Sequence, residues 1–345
     1  MKQPVFGRKK IIKGLIVSLI IGISVFLLVF LITIDRNTIK SLQYMDEKFL
    51  LLATIAIFLT VVIEALRIQV ISQAIGETIS FWISVKIFYI SFFLGGITPY
   101  FSGAIPGQVF LFNQHGISAG KGILIATIRP IIKSIIFLVI APILFFYFRD
   151  LLEEYELLSW FLLMVAIGFS AMVISVFALS VRNPQRLELL LRRIEKITFL
   201  HNFFSKPAVQ QRWEVIISQI RLFQRSYHLL LKHPEKIVMA FLYTFLYWLI
   251  YFSIAPLLLL AMEIQLAFTL VLAIQILIFF LLPYLPTPGG SGAAELGFVS
   301  LFSFFMPSHL LGIYVGGWRL FTFYLNIIIG ALLSLSLLKD WMVRK

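Results

Sequence analysis

The long apolar stretches of this chain constrain its fold more than any other feature of the sequence. A helix needs roughly 20 consecutive apolar residues to cross a bilayer. Four stretches meet that length: 12–34, 50–71, 156–180 and 236–261. Four regions with a less regular apolar pattern are also predicted to span the membrane: 82–98, about 119–147, 264–282 and 309–338. Because 60% of the 345 residues are hydrophobic and only 13% are charged, we predict an all-α polytopic membrane protein with about eight transmembrane helices in a single domain over 1–345.

Two further apolar segments, 99–118 and 287–306, are short and interrupted by Pro and Gly. Three prolines and three glycines lie between Pro283 and Gly292, just before the second segment's apolar part. These residues leave backbone groups without helical partners, and in hydrocarbon each such group costs several kcal/mol unless protein or water satisfies it. The sequence therefore predicts two broken or re-entrant half-helices that line a cavity.

The distribution of charge predicts the orientation in the membrane. Five bases and no acid lie within the first 13 residues, at or before the start of the first apolar stretch, which by the positive-inside rule places the N-terminus in the cytoplasm. Segment 149–156 has one base against four acids and is expected outside, whereas 181–236 has eleven Lys or Arg against four Glu and is expected to be a basic cytoplasmic loop. The basic C-terminal end is also expected in the cytoplasm. We predict a multi-pass protein of the cytoplasmic (inner) membrane with both termini inside.

The orientation of the spans relates the two broken segments to each other. The first has to return inward between two outward helices of 82–147, whereas the second runs outward between two inward helices of 264–338. Broken helices in corresponding positions of two oppositely oriented halves are typical of transporters with an inverted repeat and a site near the bilayer midplane. We therefore expect two inverted broken-helix repeats, 82–147 and 264–338.

Six ionisable side chains fall inside the predicted spans or breaks: Glu64, Arg67, Arg129, Lys133, Glu295 and Arg319. Charges at that depth are costly and usually face a partner or a cavity. Glu64 and Arg67 share a helix face and are expected to form a structural pair. Arg129 and Lys133 also share a face, where they repel each other unless an anion lies near. Four bases against two acids leave a surplus of positive charge, which favours a phosphate-bearing ligand.

Backbone and polar groups near the breaks extend the predicted binding site. Half-helices starting after Gly107 and after Gly289-Gly290 would offer free N–H groups and a positive dipole end to a phosphate. Gln108 adds an amide after the first break. Glu295 is expected to cap the second half-helix, to pair with Arg319 or to carry a proton, and the sequence leaves these three roles open.

Other functional classes find little support in the sequence. The chain has no cysteine, and its five histidines lack metal-binding spacing, so we expect no metal and no cofactor. No catalytic motif is present, which favours a transporter over an enzyme. Within the basic loop, apolar residues at helical spacing over 187–197 are typical of a helix on an anionic leaflet. Nucleic acid is not an expected partner, because no recognised binding module accompanies the charge.

The segment 286–295, Pro-Thr-Pro-Gly-Gly-Ser-Gly-Ala-Ala-Glu, is followed by Trp318-Arg319-Leu320 in the last span. Together with the Glu64–Arg67 helix and the break at 98–108, these motifs resemble the lysylphosphatidylglycerol synthase transmembrane, or flippase-like, family over about 10–340. The resemblance implies a polytopic bundle with broken helices that moves anionic, aminoacylated or polyprenyl-phosphate-linked lipids. It also implies a stand-alone member, since the aminoacyl-transferase domain of bifunctional members is not found before the chain ends at Lys345.

The sequence departs from the pattern of that family in two segments. Gln108 stands where many relatives have an acid, and Ile128-Arg129 with Lys133 replace a Glu-Arg pair followed by Asp. The site in this chain is therefore expected to be more positive, so that the substrate cannot be copied from relatives.

These observations lead to two main functional hypotheses. The first is a lipid flippase or scramblase that moves an anionic phospholipid or a polyprenyl-phosphate-linked lipid across the cytoplasmic membrane. The alternative is a membrane scaffold subunit that presents lipid to a separate glycosyl- or aminoacyl-transferase and docks through 181–236. An intramembrane transferase is a third reading, for which the sequence offers no convincing base. A homo-oligomer is compatible with each.

Overall fold

The computed structural model describes residues 45–147, 207–282 and 287–343, together with part of 160–178. The predicted span 12–34 and the amphipathic stretch 187–197 lie outside these residues, as does most of 156–180. Ten α-helices follow one another in the described ranges outside 160–178: α1 Glu47–Ala74, α2 Phe81–Gly96, α3 Ala104–Gln114, α4 Ala119–Tyr147, α5 Pro207–Leu231, α6 Pro234–Ala261, α7 Phe268–Leu281, α8 Ala293–Phe302, α9 Ser308–Arg319 and α10 Leu325–Val343.

The protein is an all-α polytopic membrane protein, as the sequence predicts. In the described part, four helical runs are long and apolar enough to cross a membrane: α1, most of α4, α6, and the run from Ser308 to Leu337. Helices α2, α7 and α8 are also apolar but shorter. The prediction of helices at 119–147 and 236–261 matches α4 and α6 closely.

Two long helices, α1 and α6, pack partly through small residues. Helix α1 lies along α6, and Ala53 and Ala56 of α1 share a buried cluster with Ala255 and Leu258 of α6. Small side chains let helix backbones approach closely, which supports association where lipid removes the hydrophobic driving force. At its start, α1 is capped by Asp46, whose side chain accepts a hydrogen bond from the Lys48 N–H at 2.9 Å.

Both predicted helix breaks are present, and they touch each other. Helix α2 ends at Gly96 and α3 begins at Ala104, while α7 ends at Leu281 and α8 begins at Ala293. An isolated antiparallel β-bridge joins Pro99 of the first break to Pro288 of the second. The bridge brings together two segments that are almost 190 positions apart in the chain and sets the place of the cavity described below.

Helix α3 begins before the predicted position, whereas α8 begins after Gly290, as predicted. Helix α3 already starts before Gly107, whose N–H donates to the Gly103 carbonyl at 3.0 Å. Pro106 is tolerated there because the first helical turn needs no N–H from it. The N–H of Gly290 donates to the Thr287 carbonyl at 3.1 Å. The N–H groups of these two glycines are therefore already hydrogen-bonded, and Gly107 allows α3 to pack against Leu94 of α2.

A proline inside α6 is compensated by a neighbouring helix. Pro256 has no N–H, so the carbonyl of Phe252 loses its donor within the helix. The side-chain amide of Gln275 in α7 donates to that carbonyl at 2.8 Å. Since an unsatisfied carbonyl is costly away from water, this hydrogen bond fixes α7 against α6.

The last predicted span, 309–338, is interrupted by a π-helical turn at Leu320–Tyr324. The Thr322 carbonyl accepts hydrogen bonds from the Asn326 amide at 3.2 Å and from the Tyr251 hydroxyl at 3.4 Å. The extra residue of a π-turn changes which side chains share a face. Here Arg319, Thr322 and Phe323 all line one cavity.

Candidate functional site

A cavity of about 460 Å³ lies beside the two helix breaks. Its wall combines side chains of α1, α2, α3, α4, α6 and α7 with both breaks, the end of α9 and the π-turn. Five of the ionisable residues found in apolar segments line it: Glu64, Arg67, Arg129, Lys133 and Arg319. Side chains from distant parts of the chain therefore converge on one space.

A single carboxylate serves two guanidinium groups on the first side of the cavity. The Glu64 carboxylate, 3% exposed, forms ion pairs with Arg67 of the same helix and with Arg129 of α4. Arg129 also donates to the side-chain oxygen of Gln108 on α3 and, through Nε, to the Ile125 carbonyl at 3.3 Å. The three helices α1, α3 and α4 are thus connected by charged hydrogen bonds inside apolar surroundings.

Arg67 is held further by α6. It donates through Nη1 to the Thr244 hydroxyl at 3.2 Å, and its guanidinium lies 5.1 Å from the centre of the Tyr247 ring. Its Nε is buried and has no hydrogen-bond partner among the described residues. One donor of Arg67 is therefore unsatisfied by the described residues.

Lys133 is positioned by aromatic rings rather than by an acid. Its ammonium lies 5.2 Å from the centre of the Trp248 ring and 5.3 Å from that of Phe137. It forms no ion pair or hydrogen bond with any residue that the structure describes. The rings attract the ammonium through their negative faces but do not neutralise its charge. Lys133 therefore presents an uncompensated positive charge to the cavity.

On the other side of the cavity, Arg319 and Glu295 form an ion pair. Arg319 donates to Glu295 through Nε at 2.8 Å and through Nη2 at 3.0 Å, and Nη2 also reaches the Gly290 carbonyl at 3.2 Å. The same carboxylate accepts the Gly292 N–H at 2.7 Å at the start of α8. Two of the three roles left open for Glu295, the cap and the partner of Arg319, thus coexist. The third, a proton carrier, stays a prediction.

The predicted site residues are mostly brought together. Eight of the predicted residues line the cavity: Arg129, Lys133, Arg319, Gln108, Gly289, Gly290, Glu64 and Arg67. Glu295 lies behind Arg319, and Gly107 packs against α2; neither lines it. Their role in binding a substrate remains a prediction that the geometry permits.

Sequence reasoning missed the aromatic part of the wall. Tyr247, Trp248 and Tyr251 of α6, with Phe279 of α7, line the cavity around Lys133. In a sequence with 35 Phe and 12 Tyr, such residues look like ordinary lipid contacts. The Tyr-Trp-x-x-Tyr spacing over 247–251 places these rings along one stretch of helix, and it was the one available signal.

The charged residues that line the cavity are buried or partly buried, whereas its exposed lining residues are uncharged. The lining side chains of Glu64, Arg67, Arg129 and Arg319 are buried, and Lys133 is partly buried. The exposed lining residues are Tyr100, Ile105 and Pro130, none of which carries a charge. The cavity therefore has a charged interior and an apolar rim.

Comparison with protein families gives one match that covers most of the chain. The model of the family described as "Lysylphosphatidylglycerol synthase TM region" matches residues 14–330. The motifs that carried the resemblance in the sequence, near Glu64, at the first break and at 286–319, all lie inside this match.

Two archaeal proteins are among the similar chains. A UPF0104 membrane protein of Archaeoglobus fulgidus is 25% identical over 343 residues, which cover 95% of this chain and 98% of that protein. A second UPF0104 membrane protein, from Pyrococcus horikoshii, is 23% identical over 243 residues, or 67% of this chain and 69% of that protein. No solved structure matches the chain.

Proposed function

This chain belongs to the lysylphosphatidylglycerol synthase TM region family, and we propose that it is a flippase or scramblase that moves an anionic, phosphate-bearing lipid across the cytoplasmic membrane. The observation that carries the proposal is the cavity beside the two helix breaks, in which Lys133 offers a positive charge without an acidic partner among the described residues. The family is one of membrane proteins related to lipid handling.

The charge balance at the cavity favours an anionic ligand. Four cationic side chains line the cavity, Arg67, Arg129, Lys133 and Arg319, and the carboxylates of Glu64 and Glu295 pair with the three arginines. Two positive charges remain in a place where water is scarce and charges are costly. A phosphate group would balance one or both of them through hydrogen bonds to charged donors.

The apolar rim favours a lipid over a soluble anion. A free phosphate would gain nothing from passing Tyr100, Ile105 and Pro130, which are uncharged and exposed. A lipid can place its head group among the buried charges while its acyl chains stay outside the rim in the bilayer. The aromatic wall from α6 offers further apolar contact near the head group.

The two meeting breaks support transport rather than static binding. Helices α3 and α8 have 11 and 10 residues, too few to cross a bilayer, and each follows a break. We propose that the segments around them form an inverted repeat, with the cavity between the halves opening to either leaflet in turn. The orientation with both termini in the cytoplasm is part of the same proposal.

Reconstitution tests the proposal. The purified protein is placed in liposomes that contain fluorescent phosphatidylglycerol, phosphatidylcholine or a polyprenyl phosphate, and loss of inner-leaflet protection against a membrane-impermeant quencher is followed. The proposal expects movement of one or both anionic lipids at least about tenfold faster than of phosphatidylcholine, since a lost charge-assisted contact is worth about that factor. Rates equal to those of protein-free liposomes for every lipid would contradict it.

A scaffold subunit is the second candidate, and α5 is the observation that favours it. This helix packs closely against α4 at Gly120, and its Gln219 side chain accepts the Gly120 N–H at 2.8 Å. Arg221 and Arg225 remain exposed on it. Failure of transport together with stoichiometric co-purification of a glycosyl- or aminoacyl-transferase would support this candidate instead.

A further inference from the structure

The site has two halves, one at each helix break. In each half an arginine donates a hydrogen bond to a side chain of the half-helix, but the two acceptor side chains differ. After the first break, an arginine of the following helix, Arg129, donates to a side chain of half-helix α3, that of Gln108. After the second break, Arg319 of the following helix donates to a side chain of half-helix α8, that of Glu295. Gln108, the fifth residue of α3, and Glu295, the third residue of α8, therefore both accept a hydrogen bond from an arginine of the helix that follows.

The two acceptors differ by one full charge. Glu295 neutralises Arg319, so the second half of the site has no net charge. Gln108 is neutral, and Arg129 has to share the Glu64 carboxylate with Arg67. With Lys133 added, the first half carries three cations against one acid among the described residues. The whole surplus of positive charge thus lies in the half that has the amide.

We infer that Gln108 determines the head-group charge that the site accepts, so that the substrate is a lipid whose head group is net anionic rather than zwitterionic. This inference rests on the proposed function and assigns its selectivity to one side chain. The amide oxygen holds Arg129 in place without cancelling its charge. Gln108 lines the cavity, and its amide nitrogen has no hydrogen-bond partner in the described ranges, which leaves it free to donate to a phosphate oxygen.

A carboxylate at this position would reverse both effects. It would pair with Arg129 as Glu295 does with Arg319, and it would replace the amide donor by a second acceptor. Since like charges at short range repel strongly where the dielectric is low, a phosphate would be disfavoured beside it. A head group that carries an ammonium would be disfavoured less.

The substitution Gln108→Glu tests the inference, because it changes charge at almost constant shape. Its matched control is Gln114→Glu, the same change on the same helix at an exposed residue that does not line the cavity. Gln108→Met removes the hydrogen bonds without adding charge. Each variant is reconstituted, and the ratio of phosphatidylglycerol to phosphatidylcholine movement is measured beside thermal stability in detergent.

The expected result is a fall of that ratio by at least about tenfold for Gln108→Glu, a smaller fall for Gln108→Met, which loses the amide donor but adds no charge, and a ratio near wild type for Gln114→Glu. A folded Gln108→Glu protein with the wild-type ratio would overturn the inference while leaving the flippase proposal intact. If Gln108→Glu does not fold, Gln108→Met decides: loss of anionic preference in that variant would assign selectivity to hydrogen bonding and overturn a role for charge. A wild-type protein that moves no lipid would instead refute the proposed function itself.

Discussion

Arg319 holds Glu295 with two hydrogen bonds of 2.8 and 3.0 Å, and the same carboxylate accepts the Gly292 N–H at the start of α8. Arg319 also binds the Gly290 carbonyl, so it connects the end of α9 to the second helix break. One ion pair thus stabilises the break, the half-helix that follows it and one side of the cavity.

We expect Arg319→Met to destabilise the protein by about 3–5 kcal/mol, because it leaves a fully buried carboxylate without its counter-ion. Thermal unfolding in detergent measures the loss. The double variant Arg319→Met with Glu295→Gln should recover part of it, since no buried charge then remains unpaired. An Arg319→Met protein as stable as the wild type would contradict the structural role of the pair.

Gly289 is expected to tolerate no side chain. Its φ is +61°, and an added Cβ would overlap the ring of Phe323 in the π-turn. We expect Gly289→Ala to cost about 1–3 kcal/mol more than Gly76→Ala, which has φ +75° but open space around its Cβ position. Equal losses of thermal stability for the two variants would show that the contact with Phe323 does not matter.

The hydrogen bond between Gln275 and the Phe252 carbonyl can be tested by a double-mutant cycle. Gln275→Leu should cost about 1–3 kcal/mol, because Pro256 leaves that carbonyl without another donor. In a Pro256→Ala background, the restored N–H should satisfy the carbonyl, so that Gln275→Leu costs less. A coupling energy near zero in thermal or chemical unfolding would contradict this account.

A larger side chain at the apolar rim is expected to block entry to the cavity. Ile105→Trp at the rim should lower the rate of anionic lipid movement several-fold, because the larger ring narrows the opening through which the head group enters the cavity. Ile123→Trp is the control, since Ile123 is exposed to a similar extent, 36% against 37%, but does not line the cavity. Flux in liposomes measures both, and equal rates would argue against passage over this rim.

Local chemistry explains why the helix breaks could be predicted from the sequence. Proline and glycine at 99–107 and 283–292 act on their own backbone, and the limits of α4 follow from composition alone. The start of α3 was misplaced, because Pro106 fits a first helical turn and therefore does not mark the end of the break.

Long-range pairing could not be predicted in the same way. Arg129 reaches Glu64, 65 positions away, and Lys133 faces Trp248 of α6, because helix packing decides which faces meet. No pattern in one helix specifies the rotation of its neighbour. The π-turn at 320–324 has no sequence signature either, although it places Arg319 and Phe323 on the same cavity wall.

The most direct test of the central claim is lipid movement by Lys133→Met in liposomes, compared with Lys121→Met on the same helix, whose side chain pairs with Glu77 away from the cavity. Since Lys133 has no acidic partner among the described residues, we expect Lys133→Met to keep the thermal stability of the wild type while its rate for phosphatidylglycerol falls at least about tenfold. Lys121→Met should retain the wild-type rate. A stable Lys133→Met protein that moves anionic lipid as fast as the wild type would contradict the assignment of this cavity as the lipid site.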